Sequence, residues 1–126
     1  MKKVLLSLML SLCTFFAFTQ NVTLKGNFIE VRDAQGKYIS SGSFDNVNSV
    51  GSASDYILIG YKTGRLETRT LKLEYIASAN LGSLTWISIQ GDGSIYLVYK
   101  SGLTEIRDKK FTFISSNHAP TQELLR

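Results

Sequence analysis

Asp55–Asn80 reads DYILIGYKTGRLETRTLKLEYIASAN, and Gly93–His118 reads GSIYLVYKSGLTEIRDKKFTFISSNH. The two align without a gap at an offset of 38. Identical pairs include Ile57 with Ile95, Tyr61 with Tyr99, Gly64 with Gly102, Glu67 with Glu105, Arg69 with Arg107 and Ile76 with Ile114. An earlier copy aligns at an offset of 37, pairing Glu30 with Glu67, Arg32 with Arg69, Tyr38 with Tyr75 and Ile39 with Ile76. Recurrence at a period near 40 residues marks a chain built from stacked units.

Each unit breaks into short strand-like runs. The second unit predicts strands over Val47–Ser52, Tyr56–Tyr61, Arg65–Leu71 and Leu73–Ser78. The third predicts Leu84–Gln90, Ser94–Tyr99, Leu103–Arg107 and Phe111–Ser116. The first is incomplete, with Val22–Leu24, Phe28–Arg32 and Lys37–Ser41 and no first strand. Gly91-Asp92-Gly93 and Lys100-Ser101-Gly102 supply turns, Gly being free to take positive φ. Along the second run, Ile57, Ile59 and Tyr61 alternate with Tyr56 and Leu58. Ile95, Leu97 and Tyr99 alternate in the same way with Tyr96 and Val98. Both faces are apolar, which predicts sheets covered on both sides. Tyr38, Tyr75 and Phe113 are expected to pack between units.

Four antiparallel strands in about 40 residues, repeated, resemble β-propeller blades of the WD40-like kind. The resemblance runs from Val22 to Ser116, with Arg32 and Arg107 standing where the Trp of a WD motif would precede Asp33 and Asp108. It implies an all-β fold of tandem four-stranded antiparallel blade-like repeats, a partial β-propeller of about three blades. Propellers close with about four to eight blades. The resemblance therefore implies a homo-oligomer, two chains closing one ring, as in small secreted propeller lectins. A curved sandwich or an open stack is the alternative.

Lys2 and Lys3 precede an apolar run, Val4–Phe18. The run is shorter than the roughly 20 residues that span a bilayer. Residues 1–19 therefore read as a secretory signal peptide cleaved after Thr19. The lone Cys13 lies inside it, in a loose likeness of a lipidation motif with the large Leu12 before the Cys. Residues 20–116 form the repeat domain, and 117–126 read as a tail. Loss of Lys2 and Lys3 halves the net charge of +4, which argues against nucleic acid as a partner. An apolar content of 44% excludes a disordered chain, and one Cys excludes a disulfide scaffold.

Little in the sequence points to catalysis. The single His118 sits near the C-terminus in a polar segment, and Gly91-Asp92-Gly93-Ser94 joins two strands, whereas a phosphate loop opens a helix. No catalytic residue, metal site or cofactor is expected. The recurring feature is Glu-x-Arg: Glu30 and Arg32, Glu67 and Arg69, Glu105 and Arg107. Residues i and i+2 of a strand share a face. One reading is a ladder of ion pairs between units that fixes register. The other follows from the lectin resemblance, in which Arg and Glu hold sugar hydroxyls and an aromatic stacks on the ring, here Trp86, Tyr61 or Tyr99. The expectation is an exported, non-catalytic binding module, with protein or surface glycan as partner and no membrane insertion of the mature chain. A carbohydrate-binding lectin is the alternative.

Overall fold

The computed structural model describes residues 21–118. The expected signal peptide, Cys13 and residues 119–126 lie outside it. Eleven strands form three antiparallel sheets in chain order. Blade 1 has three strands, β1 (Asn21–Lys25), β2 (Phe28–Arg32) and β3 (Tyr38–Ser43). Blade 2 has four, β4 (Val47–Ser52), β5 (Tyr56–Tyr61), β6 (Arg65–Thr70) and β7 (Tyr75–Asn80). Blade 3 repeats this with β8 (Leu84–Ile89), β9 (Ile95–Tyr99), β10 (Leu103–Arg107) and β11 (Phe113–His118). Blade 1 has no first strand among the described residues. Among the described residues, no helix is long and apolar enough to cross a membrane.

The alternation in β5 has the predicted effect. Ile57 and Ile59 join Ile29, Val31 and Val47 in a core between blades 1 and 2. Tyr56 and Leu58 join Leu66, Ile95, Leu97 and Phe111 in a core between blades 2 and 3. Blade 2 is therefore the one blade covered on both faces. On β9 only the face carrying Ile95 and Leu97 is covered, because no described blade follows blade 3.

The last strands of blades 2 and 3 begin two residues later than expected. Leu73 and Phe111, read as strand residues, are instead the fourth residues of five-residue turns and sit at φ 69° and 64°. Each turn is closed by its first residue. Asp108 Oδ1 accepts from the N–H of Lys110 and Thr112, Asp33 Oδ1 does the same with Gln35 and Lys37, and Thr70 Oγ1 with Lys72 and Glu74. The left-handed conformation costs about 1–2 kcal/mol for an ordinary residue. Burial supplies the compensation. Phe111 is buried in the core between blades 2 and 3, and Leu73 packs into the core between blades 1 and 2. Each turn thus drives an apolar plug into the preceding blade. In blade 1 the same position is Gly36, at φ 85°.

The plug explains a second difference from the sequence reading. Tyr38, Tyr75 and Phe113 do not pack between blades and are each about half exposed: the plugs Leu73 and Phe111 fill the junctions beside Tyr75 and Phe113, and Tyr38 lies on the open face of blade 1. At the other end, β11 runs two residues into the expected tail. Asn117 pairs with Thr104 and His118 with Leu103, a backbone pairing that needs no apolar side chain.

Phe111→Ala should lower the unfolding free energy by about 3 kcal/mol or more, the usual cost of emptying a buried Phe site. Phe113→Ala should change it by no more than about 0.5 kcal/mol, as for an exposed site. Urea denaturation of both variants checks the contrast.

Candidate functional site

The three Glu-x-Arg pairs have the same geometry and three different environments. Each Glu accepts from the Arg two residues on in its own strand, at 3.0 Å for Arg32 to Glu30 and for Arg107 to Glu105; Arg69 bonds Glu67 likewise. Each guanidinium also donates through Nη1 to the turn that follows: Arg32 to Gly36 O at 2.8 Å, Arg69 to Leu73 O at 2.7 Å and Arg107 to Phe111 O at 2.9 Å. The acceptor carbonyl belongs in every case to the plug position. The pairs are therefore braces within one blade. They hold the plug turn, and the expected ladder between blades is not formed, because each Arg is spent on its own turn.

Burial grades the pairs. Glu67 is 1% exposed and is met by the Tyr61 hydroxyl at 3.1 Å, by Arg65 at 3.1 Å and by Arg69. Glu105 accepts from Tyr99 at 2.7 Å as well as from Arg107. Burial works against the Glu105 carboxylate, but the hydrogen bonds from Tyr99 and Arg107 and the Arg107 charge outweigh it, so its pKa lies below the ordinary value. Burial, then the bond to the carboxylate, pushes the Tyr61 and Tyr99 hydroxyls up. Blade 1 has no such tyrosine, and its Glu30 and Arg32 side chains are 31% and 43% exposed.

Trp86 is not part of this arrangement. It stands opposite Val98, on the face of blade 3 that points away from blade 2, whereas Glu105 stands opposite Leu97 on the covered face. Two cross-strand rungs make up the outward face: Trp86, Val98, Thr104 and Asn117, then Ser88, Tyr96, Ile106 and Ser115. It bears no charged side chain. Trp86, on the edge strand β8, is 62% exposed, and Ile114, on the opposite edge strand β11, is 54% exposed. Ile39 and Ile76, which hold the Ile114 position in blades 1 and 2, are partly buried by the next blade. Tyr96, Val98, Ile106 and Ile114 were not singled out from sequence. The apolar alternation of β9 was the available signal for Tyr96 and Val98.

The opposite end of the stack is polar. The outward face of blade 1 carries Asn21, Thr23 and Lys25 beside Glu30, Arg32 and the part-exposed rings of Phe28 and Tyr38; blades 2 and 3 keep the Glu and the Arg but have Ile57 and Ile59, or Ile95 and Leu97, where blade 1 has Asn21 and Thr23. A polar outer face is what a terminal unit of a repeat stack needs. Among the described residues no cluster of His, Cys, Asp and Glu could hold a metal. Lys109, in the one adjacent basic pair of these residues, bonds Asp55 at 2.8 Å across the junction of blades 2 and 3.

No protein-family model and no curated protein sequence matches the chain. Solved structures do. Hsv2 of Kluyveromyces lactis aligns at TM-score 0.57 and 11% identity over 76% of this chain and 32% of that one. Residues 644–1017 of HIRA align at 0.57 and 10%, over 75% and 36%. BamB from Moraxella catarrhalis aligns at 0.53 and 11%, over 79% and 34%. The chain spans about a third of the length of each. These are WD40 and β-propeller proteins, and the likeness establishes the fold: an arc of propeller blades.

Glu67→Gln should cost about 3–5 kcal/mol, since it leaves two arginines beside a buried neutral group. Glu30→Gln should cost less than about 1 kcal/mol at its exposed site. Thermal unfolding of the two variants measures the ratio. The Glu105 contribution has a defined pH window. Its folded pKa is depressed, so the stability is present above the ordinary value of 4.5 and is lost as pH falls through the lower folded value. Glu105→Gln should flatten that part of the acid-unfolding curve.

Proposed function

We propose that this chain is an exported, non-catalytic protein-interaction module that binds through the outward face of blade 3. The observation that carries the proposal is that face itself: uncharged, with Trp86 and Ile114 more than half exposed, in a fold that covers the equivalent faces of blades 1 and 2. Exposed aromatic and aliphatic groups in one patch mark interaction sites. Aromatic side chains also dominate the binding energy of protein interfaces. Export rests on Lys2, Lys3 and the Val4–Phe18 run. The Glu-x-Arg pairs of blades 2 and 3 then serve the fold.

A carbohydrate-binding role has one observation in its favour. Glu30, Arg32 and Tyr38 lie together on the open face of blade 1, with Arg32 opposite Tyr38 and the Tyr38 ring 53% exposed. This is the one Glu-Arg-aromatic set of the three that faces solvent in this way.

Two experiments separate the readings. The purified chain, immobilised and exposed to extract of its source cells, should retain proteins that Trp86→Ala and Ile106→Asp variants of unchanged melting temperature lose. If all three chains retain the same set, the blade 3 face is not the binding surface. Calorimetric titration with a panel of monosaccharides should give no heat. Binding that vanishes in Arg32→Ala would establish the lectin role instead.

A further inference from the structure

We infer that the outward face of blade 3 is an acceptor for one kind of element: the strand-joining turn of a β-blade on another polypeptide, carrying a large aromatic plug in the left-handed position. The inference rests on the reading of that face as the binding surface, and it names what binds there. The chain seats a plug-bearing turn twice on equivalent faces, once with Leu73 and once with Phe111. Ser40 Oγ of blade 1 donates to Leu71 O of the blade 2 turn at 2.6 Å, and Leu73 of that turn packs beside Gly42. Thr68 Oγ1 of blade 2 donates to Lys109 O of the blade 3 turn at 2.6 Å, and Phe111 of that turn is buried. Leu71 and Lys109 occupy the same turn position, two residues before the plug.

Both hydroxyls come from one cross-strand pair. Ser40 stands opposite Val31, and Thr68 opposite Ala77. The corresponding pair in blade 3 is Ile106 and Ser115, so the branched aliphatic group and the serine of blade 1 recur there. Here they are outside any junction. Beside them lies a concavity of about 270 Å³ lined by Tyr96, Thr104, Ile106, Ser115, Ser116 and Asn117. Its floor differs in one respect. Thr104 and Asn117 replace Leu66 and Ala79 of blade 2, so two polar side chains lie where the fold elsewhere has aliphatic ones. An aromatic plug with a hydrogen-bonding tip matches such a floor better than Leu or Phe.

A second copy of this chain does not supply the plug. Its blade 1 turn has the right backbone, with Asp33 N–H bonded to Lys37 O and Gly36 N–H to Asp33 O, but the plug position is Gly36. That absence provides the test. A Cβ on Gly36 would meet nothing within 4 Å, and Leu73 and Phe111 occupy the same left-handed position in the other blades. Gly36→Tyr carries the left-handed strain without burial to offset it in the free chain, so its folding is checked first by thermal unfolding; folded, it turns blade 1 into a donor.

The donor probe is the full chain carrying Gly36→Tyr together with Ile106→Asp, which blocks its own acceptor face. Mixed with the wild-type chain, it should give a one-to-one complex of twice the monomer mass by light scattering, with a shift in Trp86 emission. Replacing the acceptor by Ile106→Asp, or the donor by Gly36→Ala with Ile106→Asp, should abolish both signals. No complex from a folded donor would overturn the inference while leaving the binding face itself open to other partners. A wild-type dimer that Ile106→Asp dissociates, and to which Gly36→Tyr adds nothing, would also overturn it, in favour of direct contact between copies. Unchanged behaviour of Ile106→Asp in this experiment and in the extract experiment would remove both readings.

Discussion

The buried carboxylate of Glu67 is the constraint on which the central blade depends. A carboxylate removed from water is tolerated only when its oxygens are met by charge and hydrogen bonds. Glu67 is met by Tyr61, Arg65 and Arg69, and among the described residues no buried polar side-chain atom lacks a partner. Arg69 also holds the carbonyl of Leu73, so the electrostatic requirement of one residue fixes the shape of the next turn. The turn in turn aims Leu73 at blade 1. One satisfied charge is thereby tied to the packing of the junction with blade 1.

Much of this was legible in the sequence, and the reasons are local. Glu-x-Arg recurs because a strand puts i and i+2 on one face, so the pair could be read without a structure. The number of strands and the incomplete first unit follow from apolar alternation and glycine-bearing turns. Leu73 and Phe111 could not be read correctly. An apolar residue at the edge of an apolar run looks like strand, and it is tertiary burial that sustains Leu73 and Phe111 at positive φ. The same misreading moved Tyr75 and Phe113 into junctions that the plugs already occupy, while Tyr38 lies on an open face.

Trp86 shows a different limit. The sequence marks it as a rare, large side chain but not the face on which it lies. A register irregularity between Leu84 and Trp86 sets that face, placing Trp86 opposite Val98 and away from Glu105. A shift of one residue would have put it in the junction with blade 2. The arc consequently has unlike ends. One is charged and braced by the Glu30–Arg32 ion pair, and the other is uncharged.

The hydrogen bonds that cross the junctions also bear on how the chain reaches this state. Ser40 to Leu71 spans 31 residues, Tyr56 to Gly93 spans 37, and Thr68 to Lys109 spans 41. Loop-closure entropy grows only logarithmically with length. Docking blade 2 on blade 1 and docking blade 3 on blade 2 therefore cost nearly the same chain entropy. Neither junction requires the other to form first. The order of assembly is left to the strength of each hairpin, and the middle blade, shared by both junctions, is common to every route.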